Sequence, residues 1–128
     1  MSRPRIVVTG RIPVAGLDIL HEIADVWAWD HDEPIPTDEL FRQLAGAEAA
    51  LTLLTTKVDD AFCDAAGSQL KVVSNVAVGY NNIDVPALSA RGVRVTNTPG
   101  VLTDATADIA FSLILMVTRR LGEGERVN

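Results

Sequence analysis

A single cysteine, Cys63, stands among the 128 residues. One thiol excludes an internal disulfide framework and a cysteine-rich metal site, and within a short predicted helix it reads as a small hydrophobe. Positive charge is scarce as well. Lys and Arg number 11 against 17 Asp and Glu, for a net charge of −6, and the clustered basic face of a nucleic-acid binder is missing. Long apolar runs are also lacking. The longest, Ile109 to Val117, already contains Ser112 and falls well short of the roughly 20 residues that span a bilayer. Ile6-Val7-Val8 is too short for the core of a secretion signal, so a cytoplasmic protein with no membrane or nucleic-acid partner is expected. Histidines are two, His21 and His31, one on a predicted helix and one in an acidic loop, and both read as surface residues. His31-Asp32-Glu33 invites a metal reading, but consecutive loop residues rarely supply a full ligand set. A solvated turn is the expectation, and no metal site is assigned. Nor does any Gly-x-Gly-x-x-Gly follow a predicted strand: Gly10 and Gly16 lack the spacing of a pyrophosphate turn.

What the chain does contain is alternation. Short β-branched runs are predicted as strands at Arg5–Thr9, Asp25–Trp29, Glu48–Leu54, Lys71–Val78 and Val93–Thr96. Between them lie helical stretches with their own punctuation. Pro13 suits a first helical turn, and Leu17, Leu20, Ile23 and Ala24 make an apolar stripe. Thr37 is placed as an N-cap with Asp38 and Glu39 behind it, Leu40, Phe41 and Leu44 point inward, and Gly46 stops that helix. Asp59 caps a short helix ending at Gly67; Asp84 caps another, with Pro86 in its first turn and Gly92 after it. Trp27 and Trp29 fall on one strand face, where packing is expected. Five strands alternating with helices imply a flavodoxin-like, doubly wound, five-stranded parallel sheet. Hydrophobic content of 48% with 22% charged residues suits one such domain.

The organising stretch is Lys71–Asp84. An apolar run bounded by turn formers reads as a buried parallel strand, expected to end at Val78-Gly79. Glycine there leaves the backbone approachable and permits positive φ. Successive N–H groups at such a turn form a small anion-binding concavity, at the carboxyl edge where open α/β sheets bind ligands. A carboxylate held by the amides around Val78 and Gly79 is one reading. An ordinary strand-to-helix loop is the other.

Asn75-Val76-Ala77-Val78-Gly79-Tyr80-Asn81-Asn82-Ile83-Asp84 resembles the substrate-loop motif of the D-isomer-specific 2-hydroxyacid dehydrogenases. Arg91 to Gly100 resembles the next segment of that family, and Val101 to Asp108 the opening of its long interdomain helix. Three motifs in order cover the second half of the chain, and the glyoxylate and hydroxypyruvate reductase branch is nearest. The resemblance implies an NAD(P)-dependent oxidoreductase moving hydride to or from a small 2-oxo or 2-hydroxy acid. It implies substrate contacts at Leu54, Val78 and Gly79, and a cofactor contact at Thr106. Thr106 reads equally as a first-turn threonine bonding a backbone carbonyl. The family's catalytic arginine, carboxylate and histidine match no position here, so no catalytic residue is assigned and the 128 residues alone are expected to be inactive.

Residues 1–102 are accordingly expected to be the flavodoxin-like substrate-binding domain, and 103–128 an interdomain helix and linker toward a nucleotide-binding domain. That last helix, capped by Thr103, is apolar nearly all round, with Asp104, Asp108 and Ser112 as a thin polar stripe. Such a helix must be buried on more than one side, and a homodimer formed through it is expected. The rival is a stand-alone flavodoxin-like binding module, or a non-enzymatic dehydrogenase relative. Leu53-Leu54 is not the acidic strand end of a phosphorylatable receiver, and Gly10-Arg11-Ile12-Pro13 is not a flavin phosphate loop.

Overall fold

The computed structural model describes residues 3–98, which fall within one compact unit, Met1–Thr98. Five parallel strands form a single sheet: β1 (Arg5–Val8), β2 (Asp25–Ala28), β3 (Ala49–Thr52), β4 (Val72–Asn75) and β5 (Arg94–Thr96). Their order is β2-β1-β3-β4-β5, the flavodoxin-like winding expected from the alternation. Helices α1 (Val14–Ile23), α2 (Thr37–Leu44), α3 (Asp60–Ala66) and α4 (Val85–Ala90) make the connections. The β1–β2 connection runs one way across the sheet and the later ones run the other. Right-handed crossovers then put α1 on one face and α2, α3 and α4 on the opposite face.

The core lies under those three helices. Val7, Ala50 and Val73, one from each central strand, meet Leu40 and Leu44 of α2, Phe62 of α3 and Leu88 of α4, all 5% exposed or less. Period-two alternation supplies the strand side of this layer, and a 3.6-residue period supplies Leu40 and Leu44. Cys63 is buried in the same cluster, the small hydrophobe read from the sequence. By contrast, α1 buries none of its residues. Leu17 and Leu20 of the predicted stripe are half-buried and Ala24 is buried, but Ile23 is 62% exposed and does not join it.

Helix ends follow local chemistry where a side chain reaches the backbone. The Phe62 N–H donates to Asp59 Oδ1 at 3.1 Å and the Ala87 N–H to Asp84 Oδ1 at 3.2 Å, so both predicted aspartate caps are in place. Replacing either with alanine is expected to lower stability by about 1 kcal/mol, read as a shift of the urea midpoint. An unchanged midpoint in both variants would refute the capping role. Two other predicted starts shift by one residue. Thr37 is the first residue of α2, not its cap: Pro36 occupies the cap position with no side-chain bond, and its carbonyl accepts from Leu40 at 2.9 Å. Pro13 likewise precedes α1. Extended ψ at each proline, 143° and 140°, ends the preceding loop and leaves the next residue to open the helix.

The larger corrections concern strand ends. β3 stops at Thr52, where Glu48–Leu54 was expected, and β4 stops at Asn75, where Lys71–Val78 was expected. A central strand continues only while both neighbours offer rungs. The Val76 N–H still donates to Thr52 O at 2.7 Å, but Leu53 O turns back to accept from Thr56 at 3.0 Å. On the other side the last β4–β5 pair is Ser74 with Thr96. Beyond these points the chain is released into loops, and Leu54, Val78 and Gly79 stand in them.

The predicted long helix from Thr103, the boundary between residues 102 and 103, and Thr106 all lie outside the described residues.

Candidate functional site

At the carboxyl edge of this sheet two candidates compete. The order reverses between β1 and β3, the usual ligand position for this winding. A cavity of about 220 Å³ opens there beside Thr9, Gly10, Arg11 and Leu53. Leu53 occupies the phosphate-sized space, because a Cβ on Gly10 would lie 2.1 Å from its Cδ1. The Thr9 and Thr56 hydroxyls, both buried, bond one another at 2.8 Å across it. Arg11 is held by Asp30 at 3.0 Å and Asp32 at 2.7 Å. His31 stacks on Trp29 at 4.5 Å and is exposed, as is His21. Among the described residues, no His, Cys, Asp and Glu group is arranged to hold a metal ion.

The second candidate is the pair of loops that follow β3 and β4, joined by Asn82 Nδ2 to Leu53 O and Thr56 O. Here three successive carbonyls of the β4 loop are tied. Ala77 O accepts from the Thr98 N–H at 2.9 Å, Val78 O from Asn97 Nδ2 at 2.8 Å, and Gly79 O from Asn75 Nδ2 at 2.9 Å. Among the described residues, neither the Val78 nor the Gly79 N–H has a partner. The same is true of every N–H from Ala77 to Asn82, so Val78 and Gly79 stand within a run of donors that a loop with anchored carbonyls leaves available to something outside it. Gly79 is exposed, and a Cβ built on it would touch nothing within 4 Å. Its φ lies outside the left-handed region, so glycine serves here to leave space rather than to permit a turn.

Apolar side chains surround these donors. Leu54 is 57% exposed, Tyr80 54%, Val78 40% and Val76 38%. They are among the few large hydrophobics that the described residues leave open to solvent, and all four lie on the two loops. The structure thus puts Val78 and Gly79 together on one loop and Leu54 on the other. The cations at this edge are engaged: Arg11 with its two aspartates, and Lys57 Nζ at 3.6 Å from Asp59 Oδ2.

Reading the sequence passed over the groups that set this geometry. Asn75, 1% exposed, accepts from Thr52 Oγ1 at 2.8 Å. Its Nδ2 donates to Asn82 Oδ1 at 3.0 Å. Asn82 Nδ2 also reaches Leu53 O at 3.1 Å and Thr56 O at 2.8 Å. Both asparagines belong to the quoted motif. Two polar residues at opposite ends of a seven-residue span were the only available signal.

A larger cavity, about 370 Å³, sits at the other edge of the sheet and is lined by Cys63, Asp64, Ser68 and Arg91 among others. Its polar groups satisfy one another. Arg91 pairs with Asp64 at 2.8 Å and Asp60 at 3.1 Å, and the Asp64 hydrogen bond, first among several contacts, holds the guanidinium above its ordinary pKa. Burial pushes the Cys63 thiol up from 9.0, against the opposing charge of Arg91. The thiolate is the reacting form, so native Cys63 is expected to react with a disulfide reagent at pH 8 at least tenfold more slowly than in urea. Equal rates would contradict its burial.

The family described as D-isomer specific 2-hydroxyacid dehydrogenase, catalytic domain, matches residues 6–119. This chain belongs to that family. The human protein named glyoxylate reductase/hydroxypyruvate reductase is 48% identical over 121 residues, 93% of this chain and 37% of that one. A crystal structure from Thermus thermophilus superposes with a TM-score of 0.85 at 37% identity, covering 95% of this chain and 39% of that one. The NADPH-dependent glyoxylate/hydroxypyruvate reductase of Sinorhizobium meliloti, solved with NADP and malonate, gives a TM-score of 0.71 at 31% identity over 99% and 39% of the two chains. The chain therefore spans a little over a third of the length of the curated relatives it matches. Among its described residues, no helix is long and apolar enough to cross a membrane.

Proposed function

We propose that this chain is the acid-binding part of an oxidoreductase that transfers hydride between NAD(P)H and a 2-oxo or 2-hydroxy acid of the glyoxylate or hydroxypyruvate type. The observation that carries the reading is that, among the described residues, the Val78 and Gly79 N–H groups have no partner on an exposed loop, with open space beside Gly79 and an exposed Leu54 on the neighbouring loop. A carboxylate accepts two parallel N–H bonds well, and a helix-free loop supplies them without the desolvation cost of a buried cation. The apolar rim suits the short carbon skeleton of such an acid. Relatives named for glyoxylate reduction and a neighbour solved with a small dicarboxylate support the same class.

The chemistry divides accordingly. When bound, the nicotinamide cofactor supplies or accepts the hydride. The described residues do not fit that cofactor: the β1 turn lacks a glycine-rich cradle, and its space is filled by Leu53. No hydride or proton step is assigned to them. Their part is to hold and orient the acid, which lowers the entropic cost of bringing it to a reacting partner. Thr106 is retained as a cofactor contact on the strength of the motif, a homodimer through residues 103–128 on that segment's apolar pattern, and a cytoplasmic location on the composition.

Titrating the ¹⁵N-labelled chain with oxalate, a non-reducible analogue, tests the reading. The Val78 and Gly79 amide resonances are expected to move in a saturable way, with acetate acting more weakly. Mixing the chain with glyoxylate and NADPH is expected to leave the absorbance at 340 nm unchanged. No response at either amide would remove the proposed site, and steady NADPH oxidation would show that the chain carries the full chemistry.

A further inference from the structure

We infer that Asn75 and Asn82 are positioning residues whose paired side-chain amides lock the β3 and β4 loops into one frame, holding the Val78 and Gly79 donors opposite Leu54. The inference rests on the acid-binding reading above and adds what sets the spacing of that site. Asn75 is the last residue of β4, and its side chain grips the sheet through Thr52 and the β4 loop through Gly79 O. Asn82 grips the β3 loop at both ends, through Leu53 O and Thr56 O. The bond from Asn75 Nδ2 to Asn82 Oδ1 joins the two grips. Every donor and acceptor of Asn75 is used, and among the described residues no buried side-chain polar atom lacks a partner.

Three features separate this from ordinary loop packing. First, the bonds run from side chain to main chain on both loops, Gly79 O on one and Leu53 O and Thr56 O on the other, so neither loop holds its shape alone. Second, the Val58–Ile83 bridge, with Val58 N–H to Asn82 O and Asp84 N–H to Val58 O both at 2.8 Å, already fixes the chain after Asn82. The amide pair is therefore not needed to anchor α4. Third, the carbonyl that Asn75 holds is that of Gly79, in the peptide unit that follows the Gly79 N–H, so its bond fixes the chain directly after the two donors, while Val78 O, which shares a peptide plane with the Gly79 N–H, is held by Asn97 Nδ2. A satisfied buried polar network specifies one arrangement, and a partly satisfied one does not.

The test uses the 128-residue chain, with Asn82→Ala and Asn75→Ser as neutral variants that add no charge near the bound anion. Val93→Ala, a core truncation before β5, is the control. Oxalate affinity is measured at a temperature where each chain is fully folded. Both asparagine variants are expected to bind at least tenfold more weakly, and Val93→Ala within twofold of the parent. Ligand-free spectra give the second readout. Asn75→Ser is expected to shift the amides of Leu53–Thr56, and Asn82→Ala those of Val78 and Gly79, across the gap between loops. Should Asn75→Ser fail to fold, Asn82→Ala at its half-buried position carries both readouts.

Asparagine variants that keep their affinity within twofold, or that weaken it no more than Val93→Ala does, overturn the inference. A parent chain whose Val78 and Gly79 amides ignore oxalate overturns the acid-binding reading instead. The clamp is then judged on the ligand-free spectra, where shifts confined to the mutated loop overturn it and shifts across both loops uphold it as the setter of loop geometry.

Discussion

Gly79→Val is expected to weaken oxalate binding by tenfold or more while changing stability by no more than about 0.5 kcal/mol, the usual range for an exposed surface substitution. Most glycine substitutions confound two effects, loss of a special backbone conformation and introduction of a side chain. Here they separate. Gly79 is not among the described glycines with positive φ, which are Gly46, Gly67 and Gly92, so valine meets no backbone strain. Nor does its Cβ meet a neighbour, since nothing lies within 4 Å. What the branched side chain occupies is the open space in front of the two unpartnered N–H groups. Isothermal titration with oxalate and a urea curve on the same sample read the two effects independently. Gly79→Ala should fall between parent and valine. Unchanged affinity in Gly79→Val would mean that the open space is not where the acid sits. A fall in stability matching the fall in affinity would mean that the loop, not the ligand, suffers.

Phe62→Ala is expected to carry the largest stability cost, about 3–5 kcal/mol, a large share of what holds a small domain together. Phe62 is fully buried on α3 and belongs to the cluster that joins α2, α3 and α4 to the central strands. The aromatic ring fills the middle of the only described layer with extensive burial, and α1 on the opposite face buries nothing that would compensate. Urea unfolding followed by circular dichroism gives the number directly. A loss below about 1 kcal/mol, the range of a volume-conserving swap, would show that the core is centred elsewhere. Because Phe62 lies away from Val78 and Gly79 in sequence and on another element, a folded Phe62→Ala sample should still bind oxalate. That outcome distinguishes a core residue from a site residue.

Particular residues show which parts of this structure were legible beforehand. Asp59 and Asp84 were readable as caps because a cap is a contact over three residues, complete within the local sequence. Gly46, Gly67 and Gly92 were readable as stops for the same reason. Thr37 was misplaced by one residue, since Pro36 competes for the same position and only the backbone angles decide between them. Ile23 fitted an apolar stripe, yet it points to solvent, because a periodic pattern gives a face and not the extent of what covers it. The ends of β3 and β4 were overextended by two and three residues respectively. Apolar character continues through Leu53-Leu54 and Val76-Val78, but Leu53 packs against Gly10 while Leu54, Val76 and Val78 are exposed instead of paired, so the local pattern misleads there.

By itself, the sequence determined the alternation of strands and helices, the doubly wound class and the family. Each of these rests on composition, on period, or on contacts spanning a few residues. Only the tertiary structure decided that Leu53 packs against Gly10, that Gly79 is exposed with φ outside the left-handed region, and how Asn75 and Asn82 tie two loops together. Those depend on groups such as Leu53 against Gly10 and Thr52 against Asn75, far apart along the chain and brought together by strand order, and no local rule encodes a distance that only the folded sheet creates.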